Sequence, residues 1–301
     1  MNEFELIDAV VAELGAAAAG QWVRLGPGDD CAINALPPGM ELASSVDALM
    51  GDVHFPRAAG AELVGYRALM VSASDLAAMG AAAGFALLAV SLEEDAAAWL
   101  RGLARGLREA ALELGLPLVG GNIARGPLTI TVSVHGHVPA GRALLRSGAR
   151  AGDGVYVTGE LGAAAAALAR GGLAACQSRA DLDALSQRYF LPRARLEAGL
   201  ALRGVASSAI DLSDGLLQDL GHISRASGVG MDLSAETLPI AAGATLDHAL
   251  GGGDDYELCF TASGDIPDLG VPVRHIGRVV AGTGVTVDGR RVSGGYQHFA
   301  S

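Results

Sequence analysis

The chain has 301 residues, half of them apolar, and a formal net charge of −12 from 33 acidic and 21 basic residues. That composition supports a large core and argues against wholesale disorder, nucleic-acid binding and docking on anionic membranes. All 21 basic residues are arginine, which removes any chemistry that needs a P-loop lysine, a kinase β3 lysine or a Schiff base.

In chain order, the start Met1-Asn2-Glu3-Phe4-Glu5 carries acids where a signal peptide would carry bases. Phe4, Ile7, Val10, Val11 and Leu14 then give helical periodicity over 3–18. A strand is expected at 41–46, ending at Asp47, and a helix at 61–79. The apolar run Phe85–Leu92 reads as a buried strand, and 95–114 as an amphipathic helix. Leu76–Leu92 is uncharged but slightly too short to span a bilayer. Clean alternation over 128–138 predicts a half-buried strand carrying His135 and His137 on one face. That pair suits either a structural role or a metal site. The Gly- and Arg-rich stretch Pro139–Asp153 is the expected boundary. Beyond it come a strand at 154–158, helices near 161–170, 181–189, 194–203 and 215–226, and strands near 257–261 and 273–280. The expectation is a mixed α/β fold in two domains, 1–140 and 141–301. Cys31, Cys176 and Cys259 are widely spaced and form no CxxC pair, so a reducing cytoplasm is the expected compartment.

Aspartates stand where surface acids rarely do. Asp75 is the only charged residue between Arg67 and Glu93, inside a helical pattern where an unpaired buried carboxylate is expensive. Asp211 and Asp214 lie between apolar flanks at an expected strand-to-helix turn. Asp29 and Asp30 follow Gly26-Pro27-Gly28, Asp47 follows Ser44-Ser45-Val46, and Asp254 and Asp255 follow three glycines. Each alone could be a helix cap or an Asx-turn. Gathered together they need a cation, because two carboxylates about 4 Å apart repel by roughly 4 kcal/mol at an effective dielectric of 20. Oxygen-only ligands suit Mg²⁺ or Ca²⁺. The glycine pairs Gly120-Gly121 and Gly251–Gly253 read as turns that could admit phosphate oxygens to backbone N–H groups. No Walker A motif or GxGxxG is present, so the residues point to a metal-dependent nucleotide site without a P-loop.

Taken in order, the motifs resemble thiamine-monophosphate kinases over nearly the whole chain. Gly28-Asp29-Asp30-Cys31-Ala32 resembles GDDxA, and Val46-Asp47 with Val53-His54-Phe55 resembles D-x₅-VHF. Ser74–Gly80 is SDLAAMG, and Gly120-Gly121-Asn122 through Arg125-Gly126-Pro127 resembles GGDTTRGP. Arg146–Ala149 is RSGA, Asp211–Leu216 is DLSDGL, and Gly252–Leu258 resembles GGEDYEL.

The resemblance implies transfer of phosphate from ATP to thiamine monophosphate, on the fold shared with aminoimidazole ribonucleotide synthetase. In that fold the N-terminal domain holds metal and ATP, and its strands form a barrel in a homodimer; the C-terminal α+β domain adds substrate and nucleotide contacts. By that likeness Asp30, Ser45, Val46 through its carbonyl, Asp47, Asp75 and Asp211 ligate Mg²⁺, and Asp214 holds another metal. Gly121, Arg146 and Ser213 contact ATP, while His54, Asp254 and Tyr296 face thiamine phosphate. Phe299 would join Tyr296 over the thiamine rings, where the thiazolium invites cation–π contact. Two positions depart from the family pattern: Asn122 replaces an aspartate that binds metal, and Asp254 replaces a glutamate. The alternatives are a related ATP-dependent enzyme with another acceptor, and a binding protein disabled at Asn122.

Overall fold

The computed structural model describes residues 3–93, 96–292 and 294–295. Helix α1 (Glu3–Leu14) tightens into a 3₁₀ turn over Gly15–Ala18. Its Leu6, Val10 and Leu14 recur every four residues and are buried as one stripe. Short strands β1 (Val23–Leu25) and β2 (Ile33–Asn34) pair across the loop that carries Asp29 and Asp30. Then come β3 (Met40–Met50), α2 (Ala61–Ala78), β4 (Ala82–Leu92), α3 (Ala97–Leu114), β5 (Leu118–Arg125) and β6 (Thr129–Pro139).

These strands form a sheet in the order β3-β6-β4-β5. β6 is antiparallel to both neighbours, while β4 and β5 are parallel. The crossover a parallel pair requires is α3. Two sequence expectations change here. β3 runs on to Met50, so Asp47 lies inside a paired strand, opposite Val132, and not at its end. Gly120 and Gly121 lie in a strand and not in a turn. Gly121 faces Leu88 across the parallel pair, and a Cβ there would sit 1.8 Å from the Leu88 carbonyl oxygen. The glycine therefore serves close strand approach.

One face of this sheet is covered by helices and the other is open. On β3, Leu42, Val46 and Met50 are exposed on the open side while Leu49 is buried beneath. β4, expected to be buried throughout, also alternates, and Ala89 is exposed. His135 and His137 lie on the open side. His135 Nδ1 and Nε2 lie 2.9 Å from Ser44 Oγ and 3.1 Å from Ser133 Oγ, and its ring stacks on Phe85 at 4.4 Å. His137 meets Trp22 edge-on at 6.0 Å, so of their two readings the structural one describes these contacts.

After residue 139, the chain passes through 140–153 without helix or strand. The second half contains β7 (Gly154–Thr158), α4 (Ala163–Arg170), α5 (Ala184–Phe190), α6 (Leu196–Leu202), β8 (Ser208–Asp211) and α7 (Leu216–Ser227). It continues through β9 (Gly230–Leu233), α8 (Leu246–Gly251), β10 (Leu258–Ala262), β11 (Val273–Val280), β12 (Gly284–Val287) and β13 (Arg290–Arg291). The strand order is β13-β12-β9-β11-β7-β10-β8, and only β9 and β12 are parallel.

Helix α2 is the spine of the molecule. From Leu63 to Ala78 every residue except Asp75 is buried. It can lie this deep because its neighbours approach through glycine: a Cβ on Gly106 of α3 would sit 1.9 Å from the Glu62 carbonyl oxygen. One apolar core runs from α1 through α2 and α3 to Tyr189, Phe190 and Phe260, and a second lies beneath α7 and β11. Among the described residues, no helix is long and apolar enough to cross a membrane.

Candidate active site

Side chains alternate along a strand, so Ser45 and Asp47 share the helix-covered side of β3 and Val46 presents its side chain to the open face. Across from them, Asp75 occupies the last turn of α2. Negative charge is unfavourable at that end of a helix, where the free carbonyls point. Ser45 Oγ donates to Asp75 Oδ2, and Ser133 Oγ donates to the Ser45 carbonyl at 3.1 Å. Asp211 closes the group from the buried end of β8.

Three elements thus bring three carboxylates together. Burial, and next the Asp75 charge, push the Asp47 carboxyl up to about 6. Asp211 is held above the ordinary carboxylate range by burial first, then by Asp75 and Asp47. Carboxylates in this condition are short of positive charge.

A second group sits at the start of α7. Asp214, Asp219 and His222 offer ligand atoms that all lie within 4.8 Å of one another. Asp219 Oδ2 accepts from the backbone N–H groups of Asp214 at 3.2 Å and Gly215 at 3.1 Å, serving the free donors of the helix start. Burial, then Asp211 and Asp214, raise Asp219 to about 7. Gln218 Nε2 donates to Asp214 Oδ2 at 2.8 Å. Arg146 lies near enough to His222 to help depress its pKa, after burial. Its loop is tied down by Ser227, whose Oγ donates to the Arg146 carbonyl and accepts from the Gly148 and Ala149 N–H groups. Arg146 itself is exposed, a cation beside an acidic group.

The triple-glycine turn locks onto this loop. Asp254 N–H donates to the Ser213 carbonyl at 2.8 Å, and Tyr256 N–H to the Leu212 carbonyl at 2.8 Å. Gly253 has φ +68°, and a Cβ there would lie 2.6 Å from the Ser213 carbonyl oxygen. Asp254 and Tyr256 also take left-handed backbone conformations, φ 61° and 50°, a strain usually kept at functional sites. Asp254 Oδ1 accepts from Arg67 Nη2 at 2.7 Å and from the Tyr256 hydroxyl at 2.9 Å. His54 Nδ1 accepts from the Met50 N–H at 3.0 Å, and the His54 carbonyl accepts from the Tyr189 hydroxyl at 2.8 Å.

The remaining expected residues are more dispersed. Asp30 is exposed in the β1–β2 loop, where its N–H meets Asp29 Oδ1 at 2.8 Å. Gly121 and Asn122 are exposed on edge strand β5, and Ser213 is exposed beside Asp214. Tyr296 and Phe299 lie outside the described residues, but Gly294 and Gly295 rest against Leu217, Gln218 and Gly251 at the same end of α7. Sequence reasoning passed over Arg67 and Tyr189, and it gave Asp219, which follows the DLSDGL motif, no role. Arg67 had the same signal as Asp75, a charge inside an apolar helical run, and served only to mark where that run began.

The raised carboxyls make a pH prediction. Each binds its proton more tightly when folded than when unfolded. Below the ordinary value of 3.8 both states are protonated and nothing changes. Between there and about 7 the unfolded chain ionises first, so stability falls as pH rises, and above that window the full penalty applies. For Asp47 alone this is about 3 kcal/mol at 1.36 kcal/mol per pKa unit. The metal-free protein is expected to melt lower at pH 8 than at pH 5.5, and Mg²⁺ should raise the midpoint more at pH 8. Equal Mg²⁺ shifts at both pH values would contradict this account of the cluster.

Residues 28–138 match the family described as AIR synthase related protein, N-terminal domain, which places the chain among proteins built on that α/β unit. A curated thiamine-monophosphate kinase of Salmonella typhimurium is 43% identical, over 93% of this chain and 93% of its own length. A crystal structure of thiamine-monophosphate kinase from Stenotrophomonas maltophilia matches with a TM-score of 0.87 and 39% identity, covering 97% of this chain and 98% of the other. AaThiL complexed with AMPPCP and TMP matches with a TM-score of 0.81 and 31% identity, covering 99% and 97%. The chain belongs to the thiamine-monophosphate kinase family.

Proposed function

We propose that this chain transfers the γ-phosphoryl group of ATP to thiamine monophosphate, releasing ADP and thiamine diphosphate. The observation that carries the reading is the convergence of Asp47, Asp75 and Asp211 from three separate elements into a partly buried group, in a chain similar along its length to AaThiL complexed with AMPPCP and TMP.

The residues fit a divalent cation. Their donors are carboxylate, hydroxyl and carbonyl oxygens, the set Mg²⁺ prefers, and the repulsion that raises Asp47 and Asp211 is what a cation relieves. Asp30, Ser45, the Val46 carbonyl, Asp47, Asp75, Asn122, Asp211 and Asp214 would hold Mg²⁺. Asn122 lowers the negative charge there by one relative to the family aspartate. When bound, Mg²⁺ neutralises phosphate oxygens and the charge that develops on the leaving group. Gly121, Arg146 and Ser213 would bind ATP, with the Arg146 guanidinium offsetting triphosphate charge.

His54, Asp254 and Tyr296 would line the acceptor site. The acceptor is a phosphate monoester with a second pKa near 6, so at neutral pH it is already an oxyanion and needs no general base. The chain's work is to hold two anions in line. Direct transfer follows, because metal-bound carboxylates are poor nucleophiles for a covalent intermediate.

A division at residue 140 would give metal, ATP and pairing to the first part and substrate and nucleotide contacts to the second, with Asp211 and Asp214 completing the metal site from there. Exposed Leu42, Val46 and Met50 on the open face of the β3-β6-β4-β5 sheet support a homodimer closed through that face. Three free cysteines support a cytoplasmic location.

The test is an assay of purified protein with ATP, Mg²⁺ and thiamine monophosphate. ADP and thiamine diphosphate forming one to one support the reading. Binding of both ligands without product would overturn it.

A further inference from the structure

Arg67 is 2% exposed, the largest fully buried side chain among the described residues. A guanidinium cannot shed its charge by deprotonating, so burying it this deeply requires fixed partners. It has them on two sides. Nη2 donates to Asp254 Oδ1 at 2.7 Å, and Nη1 donates to the Tyr189 carbonyl at 2.6 Å. The guanidinium carbon lies 4.1 Å from the centre of the Tyr189 ring and 5.7 Å from that of Tyr256. The Tyr189 hydroxyl in turn holds the His54 carbonyl at 2.8 Å.

One buried cation thus joins the two residues expected to face the acceptor, which are far apart in sequence. It orients Asp254 in a particular way. Arg67 and Tyr256 both address Oδ1, leaving Oδ2 without a hydrogen bond among the described residues on a side chain 23% exposed. Arg67 also stands on α2 about two turns before Asp75, so one rigid helix sets the distance between the acceptor wall and the carboxylate cluster.

We infer that Arg67 is a positioning residue for the phosphate acceptor: it fixes the Asp254 carboxylate, and through Tyr189 the His54 turn, so that thiamine monophosphate is held in register with the metal end of α2. This rests on the kinase reading. A merely structural arginine would affect melting without separating the two substrates. A positioning arginine changes acceptor binding selectively, because neither its hydrogen bonds nor its ring contacts reach the expected ATP residues.

The experiment measures KM for each substrate, kcat and melting for the full-length wild type, Arg67→Gln, Arg67→Lys, Asp254→Asn and the Arg67→Gln/Asp254→Asn pair. Arg67→Gln is expected to raise KM for thiamine monophosphate about tenfold, leaving KM for ATP within about twofold. Arg67→Lys should recover most of that loss, and the double variant should be little worse than Asp254→Asn, since residues that act through one another are not additive. If Arg67→Gln does not fold, Tyr189→Phe carries the test: loss of its hydroxyl should raise the acceptor KM about threefold with ATP unaffected.

Folded Arg67→Gln with an unchanged acceptor KM, or with both KM values raised alike, would overturn the inference, as would a Tyr189→Phe enzyme with wild-type KM values. A wild type that makes no thiamine diphosphate would instead defeat the kinase reading, and this inference with it.

Discussion

Asp75→Asn is expected to lower kcat at least about a thousandfold, roughly 4 kcal/mol of transition-state stabilisation, while the metal-free protein melts no lower than the wild type. The two halves of that result have one cause. Asp75 is half-buried in the last turn of α2, opposed by the helix dipole and by the charges of Asp47 and Asp211. Removing its charge relieves the folded, metal-free protein. Asn keeps an oxygen for the Ser45 hydroxyl, so the local hydrogen bond survives. The loss falls on cation binding and on the phosphoryl transfer that depends on it. Melting in EDTA and turnover at saturating Mg²⁺ are the two measurements; a variant that keeps over half the wild-type kcat would remove Asp75 from the site.

Glu257→Ala is expected to destabilise the fold by about 3–5 kcal/mol without touching the carboxylate cluster. Glu257 is 2% exposed and takes both Nε and Nη2 of Arg195, at 2.7 and 2.5 Å. It also accepts from the Thr158 hydroxyl at 2.6 Å. Truncation leaves a mostly buried guanidinium unpaired and takes the acceptor from the Thr158 hydroxyl, which keeps only the Leu258 N–H as partner, the costly way to break an ion pair. The double variant Arg195→Met/Glu257→Leu should recover much of the loss, because it removes both charges. Denaturant midpoints distinguish the cases. A single-variant loss under about 1 kcal/mol would show that water reaches the pair.

Much of this was legible in the residues, for reasons that differ by element. Alternation over 128–138 is long and regular, and β6 lies there with one face buried. Asp75 stood out because no other charged residue lies between Arg67 and Glu93. The short strands β9 and β12 have four residues each, too few for a period of two to declare itself.

β5 was hidden by Gly120-Gly121, since a glycine that admits a neighbouring backbone looks the same in sequence as one that turns the chain. The Arg67 network was hidden for another reason. Its partners Asp254 and Tyr189 come from distant segments, and their contact depends on how deeply α2 is buried, a property of tertiary packing.

The stereochemistry of transfer at phosphorus tests the central claim most directly. With ATP made chiral at the γ-phosphorus by the three stable oxygen isotopes, the in-line reading predicts inversion in the thiamine diphosphate formed. One in-line displacement then links donor and acceptor across the carboxylate group. Net retention would contradict it, requiring two displacements and a phosphorylated side chain that this arrangement does not supply.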